Sequence, residues 1–181
     1  MQLKNYTRKL KTIKRKEITL KGYKIGFSKI NDGKDLSFAL IKLDIPEGYP
    51  GLAIRAPNPF ESARGRDFRS NIARVLSIHK IEMHHELTYS YYTGGGYVYS
   101  FSASDEIIDH AFSIYDNSFY YHPGEIIFPD KFDDTDYRRC TNGIHFFRSQ
   151  NDALEYINSK WVWFKFNQYK NDMFVKKGND F

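Results

Sequence analysis

Cysteine is nearly absent from this chain of 181 residues, which carries Cys140 alone. A single thiol excludes an intramolecular disulfide, and it offers no second thiolate at the spacing of a zinc finger. Long apolar runs are also lacking, so neither a signal peptide nor a membrane span is predicted. We therefore expect a protein that is not secreted and that stays in a reducing compartment.

Several nucleotide and nucleic-acid motifs are missing as well. The glycines of YSYYTGGGYVYS, residues 89–100, are followed by Tyr97-Val98-Tyr99 rather than by the lysine and hydroxyl residue of a phosphate-binding loop. No zinc-finger spacing, RNA-binding aromatic motif or helix-turn-helix pattern is present. Internal repeats and low-complexity tracts are absent too. The sequence therefore lacks the commonest nucleotide-binding motifs.

Aromatic residues are plentiful, with 15 Phe and 14 Tyr. Large aromatic side chains fit a pleated, half-buried surface, which favours a sheet-rich fold. The length suits one sizeable core. We predict a basic N-terminal arm over residues 1–16 and a single α+β domain over 17–181, with a predominantly antiparallel sheet and one or a few packed helices.

Charge is distributed unevenly along the chain. Residues 1–24 contain nine basic residues and one acidic residue, a net charge of +8, whereas residues 101–137 contain nine acidic residues and one lysine, a net charge of −8. This asymmetry suits head-to-tail assembly, adhesion of the basic end to nucleic acid or an acidic surface, or simply two solvated faces. The arm suits either an amphipathic helix or an extended segment on a partner. Its candidate partner-binding residues are Lys9, Lys11, Lys14, Arg15 and Lys16.

Turn and strand signals alternate along much of the chain. Residues 17–30 and 36–45 predict two strands joined by an Asn31-Asp32-Gly33 turn, and residues 71–83 predict another strand. Residues 89–100 predict an aromatic hairpin in which Tyr89 and Tyr91 face Tyr97 and Tyr99. That hairpin is either a contact loop or a stacking platform for bases. Its candidate partner-binding residues are Tyr91, Tyr92 and Tyr97.

The stretch CTNGIHFF, residues 140–147, combines the lone cysteine with a histidine. Asn142-Gly143 predicts a turn, the next four residues a buried strand, and Ser149 the cap of a helix to about residue 158. A Cys140–His145 nucleophile lacks identifiable orienting and oxyanion partners. A metal site of His79, His84 and His85 is weakened because neighbouring strand residues point to opposite faces. We therefore predict no catalytic residue, metal or cofactor.

Two blocks, FYYHPGEIIFPDKFDD and CTNGIHFFRSQNDALEY, resemble the signature of an uncharacterised domain found in proteins of giant DNA viruses and phages, often beside pentapeptide repeats. ALIKLDIPEG and RSNIARVLSI resemble earlier blocks of the same domain. The resemblance implies no activity. Its signature positions, interpreted as structural, are Tyr121, Gly124, Cys140, Gly143, His145, Phe146 and Phe147.

This chain adds to the domain a basic arm, a Tyr- and Gly-rich insertion at 86–102 and an aromatic tail, KWVWFKFNQY, which we interpret as docking surfaces. The resulting hypothesis is a non-enzymatic viral interaction or structural protein, a minor capsid or virion-associated component found in the virion or host cytoplasm. Its expected partners are other virion proteins, with nucleic acid reached through the arm. The alternatives are a binding module for nucleic acid or a host factor, and a nucleotide-handling enzyme with a cleft near Cys140 and His145.

Overall fold

A computed structural model describes residues 19–46, 54–55, 67–90, 94–131 and 142–178. Antiparallel strands of one open sheet dominate these residues, and two helices accompany them. The predicted α+β class is confirmed at this level. The strands are β1 (Thr19–Ile30), β2 (Asp35–Pro46), β3 (Ile54–Arg55), β4 (Asp67–Ser70), β5 (Ala73–Ser90), β6 (Gly94–Ile107), β7 (Ala111–Ser113), β8 (Tyr120–Tyr121), β9 (Ile126–Ile127) and β10 (Ile144–Phe147). The helices are α1 (Gln150–Tyr156) and α2 (Lys160–Gly178).

The sheet places distant parts of the chain side by side. Its strand order is β3-β4-β10-β1-β2-β5-β6. Strand β1 pairs with β2 along one edge, and β10 and β7 share its other edge. Strand β7 also pairs with β8, and β9 pairs with the start of β5. The CTNGIHFF strand therefore lies beside the first strand of the chain.

The β1–β2 hairpin forms at the predicted turn. Asn31, Asp32 and Gly33 have φ values of 52°, 54° and 75°, and the Lys34 N–H donates to the Asn31 carbonyl at 3.0 Å. Asn, Asp and Gly tolerate this left-handed conformation better than other residues do. The prediction of this hairpin is confirmed.

Both faces of the central sheet are buried. Along β2, Leu36, Phe38 and Leu40 pack on the side that carries the helices, whereas Ala39, Ile41 and Leu43 pack on the other side. Burial on both faces explains why the middle of β2, residues 38–41, is a continuous apolar run rather than an alternating one.

Helix α1 begins as predicted, and α2 was missed. The Ser149 side chain caps α1 by accepting from the Asp152 N–H at 3.4 Å. The KWVWFKFNQY segment, interpreted from sequence as a docking tail, instead forms the first part of α2. Val162 and Tyr169 are buried in the helix-side core, and Trp163 and Phe166 pack against it. The segment is therefore a packed helix and not a free docking tail, because its apolar side chains lie on the helix-side core.

Strands β5 and β6 form a long hairpin whose register differs from the prediction. Tyr89 is opposite Gly95, and Tyr97 is opposite Leu87. The glycine run thus belongs partly to strand β6, where Gly94, Gly95 and Gly96 are paired residues. The predicted arrangement, in which Tyr89 and Tyr91 face Tyr97 and Tyr99, is wrong because the connection is shorter than assumed, which places Tyr99 opposite His85.

Candidate functional site

Several candidate residues singled out from the sequence, contact residues and one signature position, lie outside the described residues. These are Lys9, Lys11, Lys14, Arg15 and Lys16 of the arm, Tyr91 and Tyr92 of the hairpin connection, and Cys140. The backbone of Tyr97 lies in β6 opposite Leu87. The candidate site is therefore built from the strands that flank these positions.

Side chains from the described part of CTNGIHFF contribute to the core on both faces of the sheet. Gly143 has φ of 150°, which L residues with a side chain rarely adopt. Phe146 is buried on the side away from the helices and stacks on Phe68, with ring centroids 5.8 Å apart. Phe147 is buried on the helix side, 5.3 Å from the ring of Tyr156. Neighbouring strand residues thus serve opposite faces of the sheet.

Tyr121 and Gly124, from the other signature block, flank the turn into β9. Tyr121 is buried in the core, and this burial raises the pKa of its phenol well above the usual range. Gly124 has φ of 87°, and its N–H donates to the Val75 carbonyl at 2.7 Å. These contacts attach the turn to β5.

His145 lies beside a buried lysine that sequence reasoning had counted within the basic segment. Lys24 is 7% exposed, and its Nζ donates to the His145 carbonyl at 3.0 Å. The same ammonium is 5.6 Å from the centre of the Tyr115 ring, a cation–π distance. The position of Lys24 between apolar residues of a strand was the sequence feature that could have indicated its burial.

Aromatic rings extend from this lysine to the surface. Tyr115 is 6.2 Å from the His145 ring and 4.8 Å from the Trp161 ring, and its hydroxyl is 3.2 Å from that of Tyr156. The arrangement joins the β7 end, β10 and both helices. These contacts are structural, and they hold the ammonium group of Lys24 below a partly exposed surface.

The β5–β6 hairpin presents a separate apolar surface. Met83, Leu87, Tyr89 and Tyr99 are all exposed, Leu87 to 63% and Tyr89 to 86%. The strand register places all four on one face, which we name the docking face. Phe101 on the same face packs against Phe38 and Trp163 of the helix-side core. Among the described residues, the docking face is therefore an exposed continuation of the core.

The opposite face of the hairpin is mainly polar. His84 Nε2 is 2.8 Å from the Ser102 hydroxyl, and Glu82, Glu86 and Thr88 alternate with the docking-face residues along β5. Val98, at 55% exposure, is the large apolar residue of β6 on this side. The hairpin is thus amphipathic.

Cations are absent from this part of the sequence. No Lys or Arg occurs between residues 81 and 130, while Glu82, Glu86 and Asp105 lie on the two strands together with Glu106, which pairs with Lys80 at 3.0 Å. Proteins that stack nucleic-acid bases on aromatic rings also hold the phosphate backbone with basic residues. The hairpin therefore suits an apolar protein surface better than a nucleic acid.

The described ranges contain neither a cluster of metal ligands nor a helix that could span a membrane. No three His, Cys, Asp or Glu side chains in those ranges come together as metal ligands. Neither α1 nor α2 is long and apolar enough to cross a membrane.

The fold and its hairpin define an α+β protein built on an open antiparallel sheet. The chain belongs to DUF5758, a family of unknown function, whose model matches residues 11–153. This confirms the resemblance to an uncharacterised domain. No curated protein matches the chain. No solved structure matches it. The family match includes the β5–β6 hairpin and CTNGIHFF and ends within α1, so α2 lies beyond it.

Proposed function

We propose that this protein works by binding another protein, as a virus-encoded minor capsid or virion-associated component, and that the docking face makes the contact. The observation that carries this proposal is the placement of four exposed apolar side chains on one face of the β5–β6 hairpin. Contiguous exposed apolar patches on proteins commonly mark interaction sites.

The chemistry of the docking face specifies a partner surface. The docking face carries aliphatic, thioether and phenolic side chains. His85, which is opposite Tyr99, lies on the same face. The acidic residues Glu82 and Glu86 of the polar face, and the absence of Lys and Arg from residues 81–130 of the sequence, favour a partner that is apolar at its centre and neutral to basic at its rim. Within the described residues, no strand pairs with the outer edge of β6. A partner strand has room to extend the sheet there.

Site-specific photo-crosslinking tests this proposal. A photoreactive phenylalanine replaces either Tyr89, on the docking face, or Val98, on the polar face, and each purified protein is added to disassembled particles of the source virus. We expect a covalent adduct with one virion protein from position 89 and none from position 98. In the position-89 protein, Leu87→Ser should lower adduct formation at limiting concentration at least about tenfold, since burying one leucine is worth roughly 1.5–3 kcal/mol.

Three results would contradict the proposal. They are no adduct, equal adducts from positions 89 and 98, and an adduct only with a second copy of this chain. The third result would assign the docking face to self-association. Mass spectrometry of purified particles supplies an independent measurement, because a virion component is recovered with the particles.

A second candidate function is nucleic-acid binding through the arm. The observation that favours it is the net charge of +8 over residues 1–24. Sequence-independent binding that weakens steeply with salt would support it. Catalysis near His145 has no comparable support: the His145 ring lies against Tyr115, and Cys140 is outside the described residues.

A further inference from the structure

Two histidines face each other across a short hairpin far from CTNGIHFF in the sequence. Strand β7 pairs with β8 so that Ala111 is opposite Tyr121 and Phe112 is opposite Tyr120. Continuing this register by one residue places His110 opposite His122. Residues 120 and 122 share a face because side chains alternate along a strand. His110, Tyr120 and His122 therefore form one group on the same side of the hairpin.

The ring distances agree with this placement. The His110 and His122 rings are 6.1 Å apart, and Tyr120 is 6.1 Å from His110 and 6.4 Å from His122. A divalent ion bonded to two imidazoles at about 2.0–2.1 Å separates their ring centres by roughly 5 to 6 Å. The observed separation of 6.1 Å lies just above that range. His122 is exposed and His110 is about one-third exposed, so an ion has access from solvent.

A carboxylate orients one of these rings. His110 Nδ1 lies 2.7 Å from Asp109 Oδ1. An ionised carboxylate only accepts hydrogen bonds, so Nδ1 carries the proton and, in the neutral ring, Nε2 keeps its lone pair. Metal-binding histidines commonly donate their second N–H to a carboxylate in this way.

We propose that His110 and His122 bind one divalent transition-metal ion of the imidazole-preferring group, Cu²⁺, Ni²⁺ or Zn²⁺, with His110 bonding through Nε2. Asp109 positions the His110 ring, and water fills the remaining coordination positions. Two neutral imidazoles without a thiolate match the preferences of these ions. This inference is independent of the docking face, which is formed by other strands.

Zinc titration of the full chain, prepared without a histidine tag, tests the proposal by calorimetry and by NMR of the histidine rings. We expect one ion per chain and perturbation of the His110 and His122 signals. His110→Ala and His122→Ala should each weaken binding at least about tenfold, and Asp109→Asn should weaken it about tenfold through the loss of ring orientation. His84→Ala, which removes an exposed histidine on another hairpin, is the matched control and should leave binding unchanged.

Circular dichroism confirms that each variant is folded before titration, and His122→Gln replaces His122→Ala if the latter unfolds. Binding that survives loss of His110 or His122 would overturn the proposal. Equal loss in the His84 variant, or no uptake at millimolar zinc, would overturn it as well.

Discussion

The absence of a side chain at Gly22 leaves space that the ring of Phe146 occupies in the core. A Cβ atom at this position would lie 2.8 Å from Cδ2 of Phe146 and 3.2 Å from its Cγ. Phe146 cannot easily move away, since it is buried and stacked on Phe68. We therefore predict that Gly22→Ala lowers the free energy of unfolding by about 1–3 kcal/mol through overpacking. Urea denaturation measures this change.

Gly96 supplies the matched control for Gly22. It also lies in a strand, β6, and a Cβ there would meet nothing within 4 Å. Gly96→Ala should change the free energy of unfolding by less than about 0.5 kcal/mol, as surface substitutions usually do. Equal losses in the two variants would show that backbone flexibility, rather than contact with Phe146, sets the cost.

Local signals predicted those elements whose boundaries are set by neighbouring residues. The Asn31-Asp32-Gly33 turn specified the β1–β2 hairpin, and Ser149 specified the start of α1. Gly143 followed by Ile144–Phe147 specified β10. In each case a turn or cap residue directly precedes an apolar segment, so pattern and conformation agree over a few residues.

Elements that depend on distant packing were not predictable in this way. The aromatic residues of α2 recur at two-residue as well as three-residue steps, as in Trp161, Trp163 and Phe166, so their pattern suits a strand as well as a helix. The approach of His122 to His110 depends on the β7–β8 register. The burial of Lys24 likewise depends on the pairing of β1 with the distant β10.

Helix α2 is predicted to be essential to the fold, although it lies beyond the family match. Phe166 stacks on Phe38 with ring centroids 4.7 Å apart and contacts the edge of Phe27 at 5.6 Å. Phe166→Ala should lower the free energy of unfolding by roughly 2–4 kcal/mol, less than for a fully buried phenylalanine because the residue is partly exposed. Thermal or urea unfolding followed by circular dichroism measures the loss.

Phe164 is the control on the same helix. Its side chain is 62% exposed, so Phe164→Ala removes little packing and should cost less than about 0.5 kcal/mol. A Phe166 variant as stable as the Phe164 variant would mean that α2 contributes little to the core.

At the scale of the whole molecule, the sheet uses part of the basic segment. Lys21 forms an ion pair with Asp44 at 2.8 Å, and Lys24 lies beneath Tyr115. Both residues belong to β1, so the charge available for docking is concentrated in residues 1–16. The long acidic stretch begins on β6 and continues past β9. The two charged regions therefore belong to different parts of the chain.

Charge neutralisation tests whether the arm binds nucleic acid. Replacing Lys9, Lys11, Lys14, Arg15 and Lys16 with Gln should weaken binding to a short mixed-sequence DNA duplex. It should also reduce the slope of log K against log salt by up to about 4.5, since each phosphate contact contributes about 0.9. The melting temperature should remain nearly unchanged if the arm lies outside the core.

The matched control replaces five exposed cations elsewhere, namely Lys29, Lys34, Arg74, Lys131 and Lys160. An equal loss in that control would indicate a general charge effect, and unchanged affinity with a large drop in melting temperature would make the arm part of the core.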